Sequence, residues 1–134
     1  MKLIAAVLIL VLISSCNKFP NVGKGYHLDY NSMGDIGLLD TNNTYKVYGH
    51  IMEYGFDSIF IVVSEKPRDS VVQYNDKVKT LHVRDKIFNE SNFRQYWIIN
   101  KVDHNIFGPF KKEEYLIKRK LLGISESLKL NRNN

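Results

Sequence analysis

Chemistry at a protein surface needs nucleophiles, proton carriers or metal ligands at workable spacing, and this chain offers few. Its four histidines, His27, His50, His82 and His104, are scattered. No two stand four residues apart, and a zinc site needs three or four ligands converging at fixed spacing. The expectation is therefore no metal and no cofactor. The chain has no Gly-x-Ser-x-Gly turn to expose a serine nucleophile, and no glycine-rich loop to cradle phosphate. Asp57, Asp69, Asp76, Asp85 and Asp103 occupy turn-like contexts, where a carboxylate bonds nearby backbone amides. A pair of them could act as acid and base, but nothing in their spacing requires it. Cys16 is the single cysteine.

That cysteine has a telling setting. Lys2 supplies one positive charge, and Leu3–Ile13 is an unbroken run of eleven apolar residues. The run suits an export signal and is too short for a membrane-spanning helix, which needs about 20 residues. Ser14 and Ser15 then leave room for a peptidase at the bond before Cys16, whose thiol can accept a diacylglycerol. The segment resembles the lipobox of bacterial lipoproteins. The resemblance implies cleavage between Ser15 and Cys16, acylation of Cys16, and two or three acyl chains; two suffice for stable anchoring. Asn17 rather than Asp follows the cysteine. By the same resemblance this implies the outer membrane, facing the periplasm, or the outer face of the cell membrane in a Gram-positive host. With Cys16 consumed, disulfides, thiolate catalysis and cysteine-bound metal are excluded.

Charge and aromatic content then bound the partners. The formal net charge is +5. Seven cations follow Phe110, namely Lys111, Lys112, Lys118, Arg119, Lys120, Lys129 and Arg132. Nucleic acid is a poor partner for an exported protein, whereas an acidic envelope protein, an anionic glycan or lipid headgroups suit such a surface. Lys111, Lys112, Lys118 and Lys120 form the candidate interaction surface, set against the plainer reading of a solvated helix face. All eight Tyr, seven Phe and the one Trp lie beyond the leader. They suit strands and a core, and exposed ones suit sugars or protein interfaces.

The elements that must position these groups follow from periodicity. Tyr26, Leu28 and Tyr30 alternate with polar residues, as in a half-buried strand. Asp35–Leu39 reads as a weak strand between turn clusters. Tyr45–Glu53 reads as one strand, with Gly49 marking a bulge or a close backbone approach, and Glu53–Asp57 as a tight connection. Ser58–Ser64 is apolar on both faces and belongs at the centre of a covered sheet. Asp76–Phe88 is either a short helix or irregular. Arg94–Asn100 is a second strong strand, and Ile106–Gly108 returns as a hairpin partner stopped by Pro109. Lys112–Leu122 is the clear helix. Glu113 and Glu114 open it, Lys118, Arg119 and Lys120 close it, and Gly123 caps it. Tyr115, Ile117, Leu121 and Leu122 are expected on its buried face, with Leu116 outside.

The block Tyr96-Trp97-Ile98-Ile99-Asn100-Lys101, Gly108-Pro109-Phe110, Tyr115, Arg119 and Leu122-Gly123-Ile124 resembles a family of small bacterial lipoproteins of unknown function. Glu53–Asp57 followed by Phe60–Val63 adds to the resemblance, which covers residues 24–128. It implies packing and turns and brings no catalytic residue. Two positions depart from the pattern: Asn100 stands where Asp is usual, and Lys111 where a Ser or Thr cap would be, weakening the cap by about 1 kcal/mol. The expected fold is α+β, a mainly antiparallel sheet of five or six strands with a C-terminal helix packed on one face. The domain plan is a signal peptide over 1–15, a lipidated tether over 16–23, one globular domain over 24–128 and a flexible tail over 129–134. The expected function is a non-enzymatic, lipid-anchored envelope protein, a binding or accessory module whose domain binds another envelope protein or a ligand, an immunity protein against a cell-wall toxin being one version. A small hydrolase acting on cell wall or glycan is the alternative.

Overall fold

The computed structural model describes residues 19–68 and 80–132. Three strands come first: β1 (His27–Tyr30), β2 (Ile36–Leu39) and β3 (Tyr45–Val47). They pair antiparallel in the order β1-β2-β3. Then follow β4 (His50–Phe56), β5 (Phe60–Lys66), helix α1 (Leu81–Glu90), β6 (Gln95–Asn100), β7 (Ile106–Phe110), helix α2 (Lys112–Leu121) and β8 (Asn131–Arg132). β4 to β8 form a five-stranded antiparallel sheet in the order β7-β6-β5-β4-β8. The fold is α+β, as the periodicity predicts, with the three N-terminal strands as a second, smaller sheet.

The two sheets and α2 make three layers, and the alternation along β5 explains why. Ile61 and Val63 point one way and meet Leu28, Leu38 and Val47 of the small sheet. Phe60 and Val62 point the other way and meet Tyr115 of α2, with Ile124 and Leu128 beyond the helix. A strand covered on both faces reads as a continuous apolar run, and every residue of β5 is buried.

Several expectations change at the edges of elements. The strand expected over Tyr45–Glu53 breaks at Tyr48 and Gly49, where the chain leaves one sheet for the other. A β-carbon at Gly49 would lie 2.2 Å from Glu65 Oε2, which is the close approach that its position suggested. Glu53–Phe56 is the end of β4 rather than a connection. The turn lies one step later, where Asp57 Oδ1 accepts the amides of Ile59 and Phe60, each at 2.7 Å. Pro109 does not stop β7, because β7 is an edge strand and can lose one donor without breaking a ladder. Lys111 caps α2 weakly by type, yet Glu114 Oε2 accepts its amide at 2.9 Å and supplies half of a capping box.

The buried face of α2 is narrower than its pattern. Tyr115 is buried, but Ile117 is 61% and Leu121 76% exposed. The helix lies against β6 and β7 at the sheet edge, so only one stripe finds cover. At both chain ends the fold reaches further than expected. The segment before β1 is built in from Phe19 onward: Val22 is wholly buried, and its carbonyl accepts the Lys101 amine at 2.7 Å. Beyond residue 128, Asn131 and Arg132 pair with Tyr54 and Glu53.

Candidate functional site

Three groupings of polar or exposed side chains could carry function. The most enclosed lies where the two sheets and α1 meet. Asp35 is buried just before β2. Arg68, just past β5, donates to both its oxygens, Nε to Oδ2 at 3.1 Å and Nη2 to Oδ1 at 3.0 Å. Arg68 also reaches Asp85 of α1 at 3.1 Å and lies over the Phe88 ring. Lys66 donates to the carbonyls of Phe88 at 2.7 Å and Asn89 at 3.4 Å. α1 has no basic residue in its own last turn, so β5 supplies the cation that a helix C-terminus favours.

His50 stands beside this pair, and its geometry argues against catalysis. The Ile36 amide donates to His50 Nδ1 at 3.2 Å, which makes that nitrogen an acceptor and places the ring proton on Nε2. Burial, ahead of the opposing pull of Asp35, lowers its pKa and keeps the ring neutral. An aspartate that orients a catalytic imidazole needs an Nδ1–H to hold, and here none is available. The grouping ties α1 to the sheets.

Among the described carboxylates, Glu65 is the most removed from water. It is 3% exposed, and Trp97 Nε1 donates to its Oε1 at 2.6 Å. Burial raises its pKa against the lowering effect of Trp97 and the Gly49 backbone. A general acid needs a raised pKa. Yet Glu65 is enclosed between the sheets, out of reach of a substrate.

A second grouping forms at the end of the molecule where the hairpin turns 40–44 and 101–105 meet the turn before β1. Tyr26 and His104 share a hydrogen bond of 2.9 Å between the hydroxyl and Nδ1. Lys46 pairs with Asp40 at 3.0 Å. With Lys24, these line a shallow open concavity. The Thr44 amide and Lys46 hold the Asp40 pKa low, so this carboxylate stays charged and cannot donate a proton. The concavity can hold a polar group, and the Tyr26–His104 pair and the Asp40 carboxylate line it.

The third grouping is the outer face of α2. Lys112, Leu116 and Lys120 form one stripe at four-residue spacing, and Glu113, Ile117 and Leu121 its neighbour. Leu116 is 47% exposed and Lys112 and Lys120 are exposed, so three large apolar side chains stand in water among cations. Of the four lysines expected as an interaction surface, Lys111, Lys112 and Lys120 lie open here. Lys118 instead is half-buried, its amine 4.4 Å from the centre of the Phe107 ring. Arg119 turns inward and donates to the Ser125 and Leu128 carbonyls.

The remaining expected residues separate. Ser15 and Cys16 lie outside the described residues, as do Asp69 and Asp76. The four histidines sit in four different places, and among the described residues no three His, Cys, Asp or Glu gather as a metal site. Asp57 and Asp103 bond turn amides, and Asp85 pairs with Arg68. Sequence reasoning missed Asp35, Glu65, Lys66 and Arg68, and it met Lys101 only as part of the resemblance pattern, without its ties to Val22 and Asp57. One signal was available: Glu65 and Lys66 continue an apolar run without a turn residue before Pro67. No described helix is long and apolar enough to cross a membrane.

A family described as protein of unknown function (DUF3997) matches residues 23–134. No curated protein and no solved structure matches the chain.

Proposed function

The chain belongs to DUF3997, a family of unknown function, and from that premise we propose a lipid-anchored envelope protein that binds an acidic partner protein through the outer face of α2. The proposed anchor is acylated Cys16 after cleavage at Ser15. It is supported by the apolar run Leu3–Ile13 and the small residues Ser14 and Ser15. With Asn17 following the cysteine, the proposed location is the outer membrane, facing the periplasm. The observation that carries the binding role is the exposure of Leu116, Ile117 and Leu121 beside Lys112 and Lys120. Such apolar side chains gain from burial against a partner, and the lysines favour an acidic one.

Two experiments test this. Cys16→Ala should abolish acyl labelling and leave unprocessed precursor, and normal processing would sink the anchor. A photo-crosslinking residue at position 117, in the full chain in its host, should trap an acidic envelope protein. The same probe at position 42, in the open concavity, should not. Reversing Lys112 and Lys120 to Glu should remove the product. Equal trapping by the reversed protein, or none at 117, would overturn the α2 surface.

A further inference from the structure

The chain leaves little slack between its proposed lipid and its fold. Only Asn17 and Lys18 separate Cys16 from Phe19. Phe19 already belongs to the fold: its ring packs on Tyr30 with centroids 5.3 Å apart, and it borders the cluster between the sheets. Three Cα-to-Cα steps span at most about 11 Å. That reach is little more than one headgroup layer, roughly 5–8 Å of a bilayer's thickness.

Phe19, half-buried, borders a group of partly exposed side chains at the end of the small sheet where β1 turns into β2. Tyr30 is 41% exposed, and Met33 in the following turn 58%. The Tyr45 hydroxyl donates to the Tyr30 carbonyl at 3.2 Å. Its ring lies against Gly37, where a β-carbon would collide with it, and meets Tyr48 edge-on at 5.2 Å. Tyr48 is 54% exposed. Tyrosine has an apolar body and a polar tip, the combination that a bilayer interface accepts. A protein partner is thicker than the reach from Cys16 to Phe19 and would not fit between this surface and the membrane.

We infer that the patch of Phe19, Tyr30, Met33, Tyr45 and Tyr48 rests on the lipid headgroup layer and fixes how the domain sits on its membrane. The inference rests on acylation of Cys16, proposed above. The end of the small sheet where β1 turns into β2 then lies toward the bilayer; α2 starts near that end, after Phe110, and Lys120 lies about two turns further from it.

The test uses the full chain, purified in its lipidated form and reconstituted in vesicles of phosphatidylethanolamine and phosphatidylglycerol. Acylation blocks Cys16, so a single introduced thiol takes a fluorophore, either at Met33→Cys or at Lys120→Cys. Lipids carrying a spin label near the headgroup should quench the first several-fold more than the second. Adding Tyr48→Asp to Met33→Cys should lower the quenching toward that at position 120, with the near-ultraviolet circular dichroism unchanged. Equal quenching at 33 and 120 in protein whose mass shows its acyl chains would overturn the docking and leave the anchor standing. A mass without acyl chains would overturn the anchor itself.

Discussion

Glu65 and His50 should give opposite pH signatures, because burial acts on a carboxylate and an imidazole in opposite directions. The folded pKa of Glu65 lies above its ordinary 4.5. The native state thus holds this proton more tightly than the unfolded chain, and the contribution to stability rises as pH falls through the folded value. Urea unfolding at a series of pH values should show this slope in the wild type and not in Glu65→Gln. His50 has a folded pKa below its ordinary 6.5. Its contribution is full above 6.5 and is lost as pH falls through the folded value. His50→Asn keeps an acceptor for the Ile36 amide and should remove that loss. Arg68 matters through charge rather than titration. Arg68→Met leaves the buried Asp35 carboxylate without its bidentate partner, and should lower stability by about 3 kcal/mol in chemical denaturation. An effect under about 1 kcal/mol would mean that water or Lys66 compensates.

At the scale of elements, α2 separates packing from display. Tyr115 is 2% exposed and stacks on Tyr96 with centroids 5.0 Å apart, so Tyr115→Ala should cost about 3–4 kcal/mol. Ile117→Ser and Leu121→Ser should each change stability by no more than about 0.5 kcal/mol. Thermal melts of the three variants check both statements. The same helix shows where sequence reading succeeds and fails. Its limits are local facts, set by Glu113 and Glu114, by the basic last turn and by Gly123 at φ +66°, and they are legible. Which of its apolar residues are covered depends on how much sheet lies beneath, and that is not local. β5 and β6 are legible because their apolar runs are long enough to need cover on both faces. β2 looks weak because only four residues long, yet all of it is buried. The Asp35–Arg68 pair joins residues 33 positions apart, and no periodicity announces such a partner. The leader and Cys16 read clearly because their whole signal is contiguous.

The whole molecule is an ordered stack of small sheet, large sheet and helix, and one side chain ties the first residues of the fold into it. Lys101, 3% exposed, donates to the carbonyls of Val22 and Asp57. A buried amine with carbonyl partners replaces its lost water, and burial lowers its pKa. Lys101→Met leaves both carbonyls without that donor. Amide exchange followed by mass spectrometry should then quicken around Gly23–Tyr26 while β5 and β6 keep their protection. Uniform quickening across the sheet would show that Lys101 holds the whole fold rather than its entrance.

That tie also has a mechanical meaning. Under the anchoring proposed at Cys16, a tug between partner and membrane would pass along the segment from Phe19 to Gly23. The segment runs beside β1, from the Tyr30 end, where Phe19 packs, to the Lys101 end, where Val22 is held. A pull toward the bilayer loads these attachments lengthwise, in shear, before it reaches any pair of strands. The Phe19 packing is thus loaded first and the link between Val22 and Lys101 next, both ahead of either sheet.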